Sequence, residues 1–185
     1  MPQDVYKRQA YTVRPFIHPE TYGVHCHVLP NGLGGAGKEL VPVVIHGSVL
    51  LSAGEVDGSL WPSQETNPYR NFQKVKPDEE IDYGVLVYKG DVHMEETGGI
   101  SRAFLAWDKL DAKQPQEALA LAEEAVKLAP DQLYPQWALG DAAAAAGKKD
   151  EARAAYNAAI AATDSLDAQR RADYVKSIEA SIKKL

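Results

Sequence analysis

Cysteine is almost absent: Cys26 is the only one in 185 residues. A single thiol closes no internal disulfide, so packing alone must hold the chain together, and cysteine usage leaves the compartment open. Clustered basic charge is missing as well. Lys and Arg number 20 against 26 Asp and Glu, for a net charge of −6 and a pI near 5.4. Without a cationic stripe to replace phosphate counterions, nucleic acid is excluded as the expected partner. Long apolar runs are also lacking. The longest candidate, VPVVIHGSVLLSAG, is interrupted by His46 and Ser48 and falls short of the roughly 18–20 residues that cross a bilayer. What remains, 45% hydrophobic and 25% charged, is the composition of one ordinary globular domain or two small ones.

The first residues do not read like the others. Asp4 to Gln9, DVYKRQ, reverse-translate with permitted codons to GAT-GTG-TAT-AAG-AGA-CAG, which resembles the transposon end used in fragmentation-based sequencing libraries. Residues 1–9 are therefore expected to be adapter-derived and are set aside from fold reasoning. On that expectation the authentic upstream sequence is missing and the chain is the tail of something larger.

Proline and glycine divide the remaining chain in two. Seven of the eleven prolines (Pro15, Pro19, Pro30, Pro42, Pro62, Pro68 and Pro77) and ten of the fourteen glycines fall in 10–97, a density that excludes long helices there. Three stretches read as strands: 11–16, broken by Pro15; 43–56, with Gly47 as a candidate bulge; and 82–90, ending in a Lys89-Gly90 turn signal. They predict a small antiparallel or mixed sheet. NGLGGAG (31–37) reads as a flexible loop, and 61–81 as irregular with a short helical turn at 69–75.

From residue 98 onward alanine dominates, and a helical repeat is the strongest signal in the chain. In 133–164, Leu139, Gly140, Gly147, Ala152, Tyr156 and Ala159 fall at the spacing of the tetratricopeptide repeat, a 34-residue helix-turn-helix. One period earlier stand Leu105, Ala118 and Ala125, with Pro130 closing the copy. Gly140 and Ala152 are small enough to let antiparallel helices approach, Leu139 and Tyr156 fill the space between them, and Gly147 starts the turn. The first copy departs from the pattern, with Lys113 at the turn glycine and Ala122 at the aromatic position. The reading is α+β: a β-rich part at 10–97, two tetratricopeptide repeats at 98–166 and a capping helix at 167–185. In that last helix Leu166, Tyr174, Val175, Ile178, Ile182 and Leu185 form one stripe, Asp164 or Ser165 is the expected N-cap, and Lys183 and Lys184 suit the C-terminal dipole.

Residue clusters that suggest chemistry do not hold up. In an extended segment His25 and His27 face away from Cys26, so the three do not meet one metal ion or assemble a thiol nucleophile with its base. The run Asp78, Glu79, Glu80, Asp82 lacks the spacing of a calcium loop or of a glycosidase acid pair and reads as a solvated loop. NGLGGAGK misses the phosphate-loop pattern because Glu39 follows Lys38. No catalytic residue, cofactor or metal is assigned. Phe104, Trp107, Tyr134 and Trp137 lie on the first helices of the two repeats, on the side expected to be concave. They form a candidate groove for a protein or peptide, or else pack the helices onto the β-rich half.

The segments YGVHCHVLP (22–30), GSVLLSAGEVDGSLW (47–61) and NPYRNFQKVKPDEEIDYGVLVYKGDVHM (67–94), followed directly by the repeat pair, resemble the C-terminal soluble portion of bacterial family-39-type membrane glycosyltransferases related to dolichyl-phosphate-mannose mannosyltransferases. The resemblance covers 11–166. It implies a parent that takes sugar from a lipid-linked donor, with its acidic catalytic residues in an early loop that this chain does not include. The fragment would then be a non-catalytic accessory tail on the extracytoplasmic face of the cytoplasmic membrane, attached to a missing transmembrane region. The alternative is a freestanding repeat scaffold that mediates protein–protein interaction.

Overall fold

A computed structural model describes residues 9–12, 26–30, 40–63 and 66–185. His25, the rest of the expected first strand (13–16) and the 31–37 loop lie outside the described residues. The fold is mixed α+β, a five-stranded sheet followed by a set of antiparallel helices.

The sheet contains β1 (Gln9–Thr12), β2 (Cys26–Val28), β3 (Val44–Ser52), β4 (Glu79–Ile81) and β5 (Val85–His93), in the order β2-β1-β3-β5-β4. β1 runs parallel to β2 and β3, whereas β3, β5 and β4 are antiparallel. Gln9, the last residue of the segment set aside as adapter-derived, pairs with Gly47 as the first residue of β1.

Period-2 alternation orients the central hairpin. Ile45, Val49 and Leu51 face the core across from Val92, Tyr88 and Leu86. Two expectations fail here. Gly47 is not a bulge, because the β3–β5 register is unbroken from Val44↔His93 to Ser52↔Val85 and sets Gly47 opposite Gly90. Lys89-Gly90 is not a turn either, since β5 continues through it with Gly90 at φ +94. A local dipeptide signal loses to a full ladder of cross-strand pairs.

The turn lies earlier. Asp82 and Tyr83 adopt φ 48 and 55, as a primed hairpin turn requires, and join β4 to β5. Of the acidic run, Glu79 and Glu80 therefore lie on an exposed edge strand rather than in a loop, while Asp78 precedes the strand and Asp82 belongs to the turn. β3 stops at Ser52, whose hydroxyl caps the four-residue α1 (Ala53–Val56) by accepting the Glu55 N–H at 3.2 Å. A 3-10 helix at Arg70–Lys74 occupies the expected turn at 69–75.

Helices α2 (Glu95–Asp111), α3 (Pro115–Leu128), α4 (Leu133–Ala145) and α5 (Lys149–Ala161) follow. α2 packs along α3, α4 along α5, and α4 against both members of the first pair. The geometry recurs every 34 residues. α3 and α5 start at Pro115 and Lys149, and Lys113 (φ 60) stands where Gly147 (φ 78) ends the later helix. Ala118, Ala122 and Ala125 are buried at the places of Ala152, Tyr156 and Ala159. Gly140 is the point of closest approach: a Cβ there would lie 2.4 Å from the Tyr156 ring.

α6 (Ala168–Ile182) closes the set, with Ile178 its one fully buried residue. Its N-cap is Asp167 rather than Asp164 or Ser165. The Asp167 carboxylate accepts the N–H groups of Gln169 and Arg170 at 3.1 and 3.0 Å, and the chain makes a further turn before the helix starts.

Polar contacts tie the sheet to the helices. Arg70 clasps Glu96 through Nε and Nη2 at 2.9–3.1 Å, and Gln132 Nε2 reaches the same carboxylate at 3.3 Å. Ser101 Oγ accepts the Val41 N–H and Arg102 Nη1 donates to the Val41 carbonyl. Thr97 Oγ1 donates to the Pro68 carbonyl and Arg170 Nη1 to that of Pro62. The long segments of the β-rich part therefore lean on α2 and α6 through these bonds, and on α4 through Tyr134, which packs against the sheet core.

Candidate functional site: an aromatic face around Asp141

Spacing of i and i+3 places Phe104 and Trp107 on one face of α2, and Tyr134 and Trp137 on one face of α4. The fold brings all four rings together. Phe104 lies 5.7 Å from Trp107 and 5.6 Å from Tyr134, and the two tryptophans meet edge to face at 6.0 Å. Each is half-buried. Tyr134 touches both the sheet core and the helix core. The rings thus contribute packing while keeping part of their surface in solvent, which neither sequence reading on its own anticipated.

A fifth ring joins from α6. Tyr174 stands 6.1 Å from Trp137 and 6.4 Å from Tyr134, and the two tyrosine hydroxyls are 3.0 Å apart. Burial, then the hydrogen bond with Tyr174, holds the Tyr134 hydroxyl well above the usual tyrosine pKa, so it stays neutral.

Asp141 anchors the face from one turn beyond Trp137. It accepts Trp107 Nε1–H at 2.8 Å and Tyr156 Oη–H at 2.7 Å. The Trp137 indole nitrogen is buried near the same carboxylate and has no hydrogen-bond partner among the described residues. Burial raises the Asp141 pKa above the ordinary aspartate value, while the bonds from Tyr156 and Trp107 and the nearby Lys184 pull it back. Tyr156 is pushed upward by burial and by its bond to Asp141. One carboxylate therefore fixes a tryptophan from the first helix pair and a tyrosine from the second.

The remaining signature residues are structural. Ala118, Ala125, Gly140, Ala152, Tyr156 and Ala159 are buried between helices, Leu105 and Leu139 are half-buried, and Pro130 and Gly147 sit at exposed helix ends. Two clefts open along the α4–α6 seam. One, of about 340 Å³, is lined by Pro62, Trp137, Arg170 and Tyr174; the other, of about 300 Å³, by Asp141, Tyr156, Ser181 and Lys184. Among the described residues no group of three or more His, Cys, Asp or Glu side chains is placed to hold a metal ion.

Sequence reasoning missed Asp141 and assigned Tyr174 only to a capping stripe. A signal for Asp141 was available: it is the one charged residue in ALGDAAAAAG and follows Trp107 by 34 positions. No such signal existed for Tyr174, whose meeting with Trp137 depends on how α6 folds back. No protein-family model matches the chain, and no curated protein or solved structure matches it.

Proposed function

We propose that the chain is a non-catalytic docking module of two tetratricopeptide repeats closed by α6, which captures a protein or peptide on the aromatic face. The observation that carries this reading is the set of half-buried rings, Phe104, Trp107, Tyr134, Trp137 and Tyr174, in contact with one another, with Trp107 held by Asp141 and clefts along the α4–α6 seam at the border. Rigid aromatic anchors with polar tips supply large contact area at little conformational cost, which is how small interfaces concentrate their energy.

Selection of a displayed peptide library against the intact chain tests the reading. Enriched peptides are expected to lose about 2 kcal/mol of affinity on Trp137→Ala, while the melting temperature falls by only a few degrees. The reading fails if no sequence class is enriched, or if enriched peptides bind the variant as tightly as the wild type.

The resemblance of 11–166 to the tails of family-39-type membrane glycosyltransferases supports placing this module at the end of such an enzyme, outside the cytoplasmic membrane, where its missing transmembrane region would be one partner. Genomic sequence upstream of Ala10 decides the point. Several apolar stretches of about 20 residues are expected; a short start without them leaves the freestanding scaffold.

A further inference from the structure

The lining of one cleft on the α4–α6 seam narrows what the aromatic face can hold. Trp137 and Tyr174 form its apolar walls, two half-buried rings with centroids 6.1 Å apart and planes at 88°, so the corner between them offers one flat face and one edge. The space is about 340 Å³. That volume is about 7 Å on a side, too narrow for the roughly 10–12 Å body of a helix. An extended segment fits it.

Charge selects neither sign. Arg170 and Asp173 are the charged side chains among the described lining residues, and they balance. A neutral ligand suits such a lining.

Hydrogen bonding limits the choice further. Acceptors around the rings are engaged: the Asp141 carboxylate holds Trp107 and Tyr156, the Tyr134 and Tyr174 hydroxyls bond each other, and Asp173 accepts the Gln169 amide at 3.3 Å. An ordinary peptide laid across Trp137 and Tyr174 would therefore strip water from its N–H groups and leave them unpaired, which is costly. Donors are in better supply. Arg170 Nη1 donates to the Pro62 carbonyl at 2.7 Å and Nε faces Asp167 at 3.5 Å, which leaves Nη2 without a partner among the described residues. A segment that brings carbonyls but few N–H groups matches this site, and proline is the residue with no N–H.

The chain supplies its own example. Pro62 lines the same cleft with its carbonyl on Arg170, so a prolyl carbonyl on this guanidinium beside these rings is a contact the fold already makes.

Resting on the docking reading above, we propose that the cleft binds a proline-rich segment in the polyproline II conformation, with one pyrrolidine ring in the corner of Trp137 and Tyr174 and a neighbouring carbonyl on Arg170 Nη2. The flat rings supply contact area for the pyrrolidine, and a preformed extended helix loses little freedom on binding.

The test is calorimetric titration of the full chain with hexaproline, hexa-alanine and hexasarcosine, each acetylated and amidated so that it is neutral. Hexaproline is expected to saturate with Kd below about 1 mM. Hexa-alanine, which brings N–H groups, and hexasarcosine, which lacks both N–H and ring, should bind at least about tenfold more weakly. Tyr174→Leu keeps an apolar side chain on α6 but removes the flat wall, and should weaken hexaproline about tenfold. Arg170→Met, at an exposed position that leaves the core untouched, should weaken it several-fold with the melting temperature within a few degrees of the wild type. Equal binding of the proline and alanine hexamers, full affinity in both variants, or no saturation by hexaproline overturns the proposal. Library peptides that carry no proline yet lose affinity on Trp137→Ala overturn it while leaving the docking reading in place, whereas a chain that takes up no peptide of any kind loses both.

Discussion

Gly140→Ala is the sharpest test of how the two helices of the second pair, α4 and α5, fit together. On helix propensity alone the substitution should stabilise the protein by about 1 kcal/mol, because alanine is the best helix former and Gly140 lies inside α4. Packing argues the reverse. The new Cβ would sit 2.4, 2.5 and 2.9 Å from Cδ1, Cε1 and Cγ of Tyr156, where carbon atoms normally rest at about 3.5–4.0 Å. The ring must move by about 1 Å to restore that separation, yet it is 2% exposed and its hydroxyl is held by Asp141 at 2.7 Å. Overpacking of this kind costs about 1–3 kcal/mol, and moving the ring also strains the Asp141 bond. The balance is a net loss of about 1–2 kcal/mol, which for a chain of this size lowers the melting temperature by about 3–6 °C. Thermal and denaturant melts measure it. A control separates clash from other causes: in a Tyr156→Ala background the ring is gone, and Gly140→Ala should become neutral or mildly stabilising. A Gly140→Ala chain that melts at or above the wild-type temperature would refute the close-contact argument.

Lys113 occupies the left-handed turn position with φ 60 that Gly147 takes one period later. Lys113→Gly should therefore raise stability by about 1 kcal/mol, read as a melting temperature higher by about 2–4 °C. Asp141→Asn tests the buried carboxylate through pH. Because the folded chain raises the Asp141 pKa above 3.8, mainly by burial, it binds that proton more tightly than the unfolded chain does. The stabilisation is present below the ordinary value and is lost as pH rises through the raised one. Denaturant melts across that acid range should show the wild type losing ground to the Asp141→Asn chain as pH increases; the opposite slope would mean that the hydrogen bonds from Trp107 and Tyr156 outweigh burial.

Much of the helical part was legible, because its signals are local. Alanine at 118, 125, 152 and 159 and glycine at 140 and 147 each state a requirement met within one or two turns: close approach or a left-handed turn. The sheet was less legible. Lys89-Gly90 has the composition of a turn, yet nine cross-strand pairs hold it inside β5, and pairing with Ser48 and Gly47, 41 and 43 positions earlier, leaves no periodic trace. β4 was hidden for a related reason: Glu79, Glu80 and Ile81 are all exposed, so no alternation marks them. The candidate groove was half legible. Spacing put the four rings on two helix faces, but nothing along the chain stated that Tyr174 completes the cluster or that Asp141 bonds both Trp107 and Tyr156.

By itself the sequence determined the change of composition near residue 98, the 34-residue recurrence of small and turn residues, and the absence of internal disulfides, because these depend on residue size, backbone freedom and thiol count. Only the tertiary structure decided which side chains meet. Arg70 with Glu96, Trp107 with Asp141 and Tyr134 with Tyr174 join positions 26, 34 and 40 apart, and the buried Tyr88 hydroxyl is left with no partner among the described residues. Such pairings depend on how elements cross and how closely they pack, and those quantities belong to the assembled core rather than to any local stretch of chain.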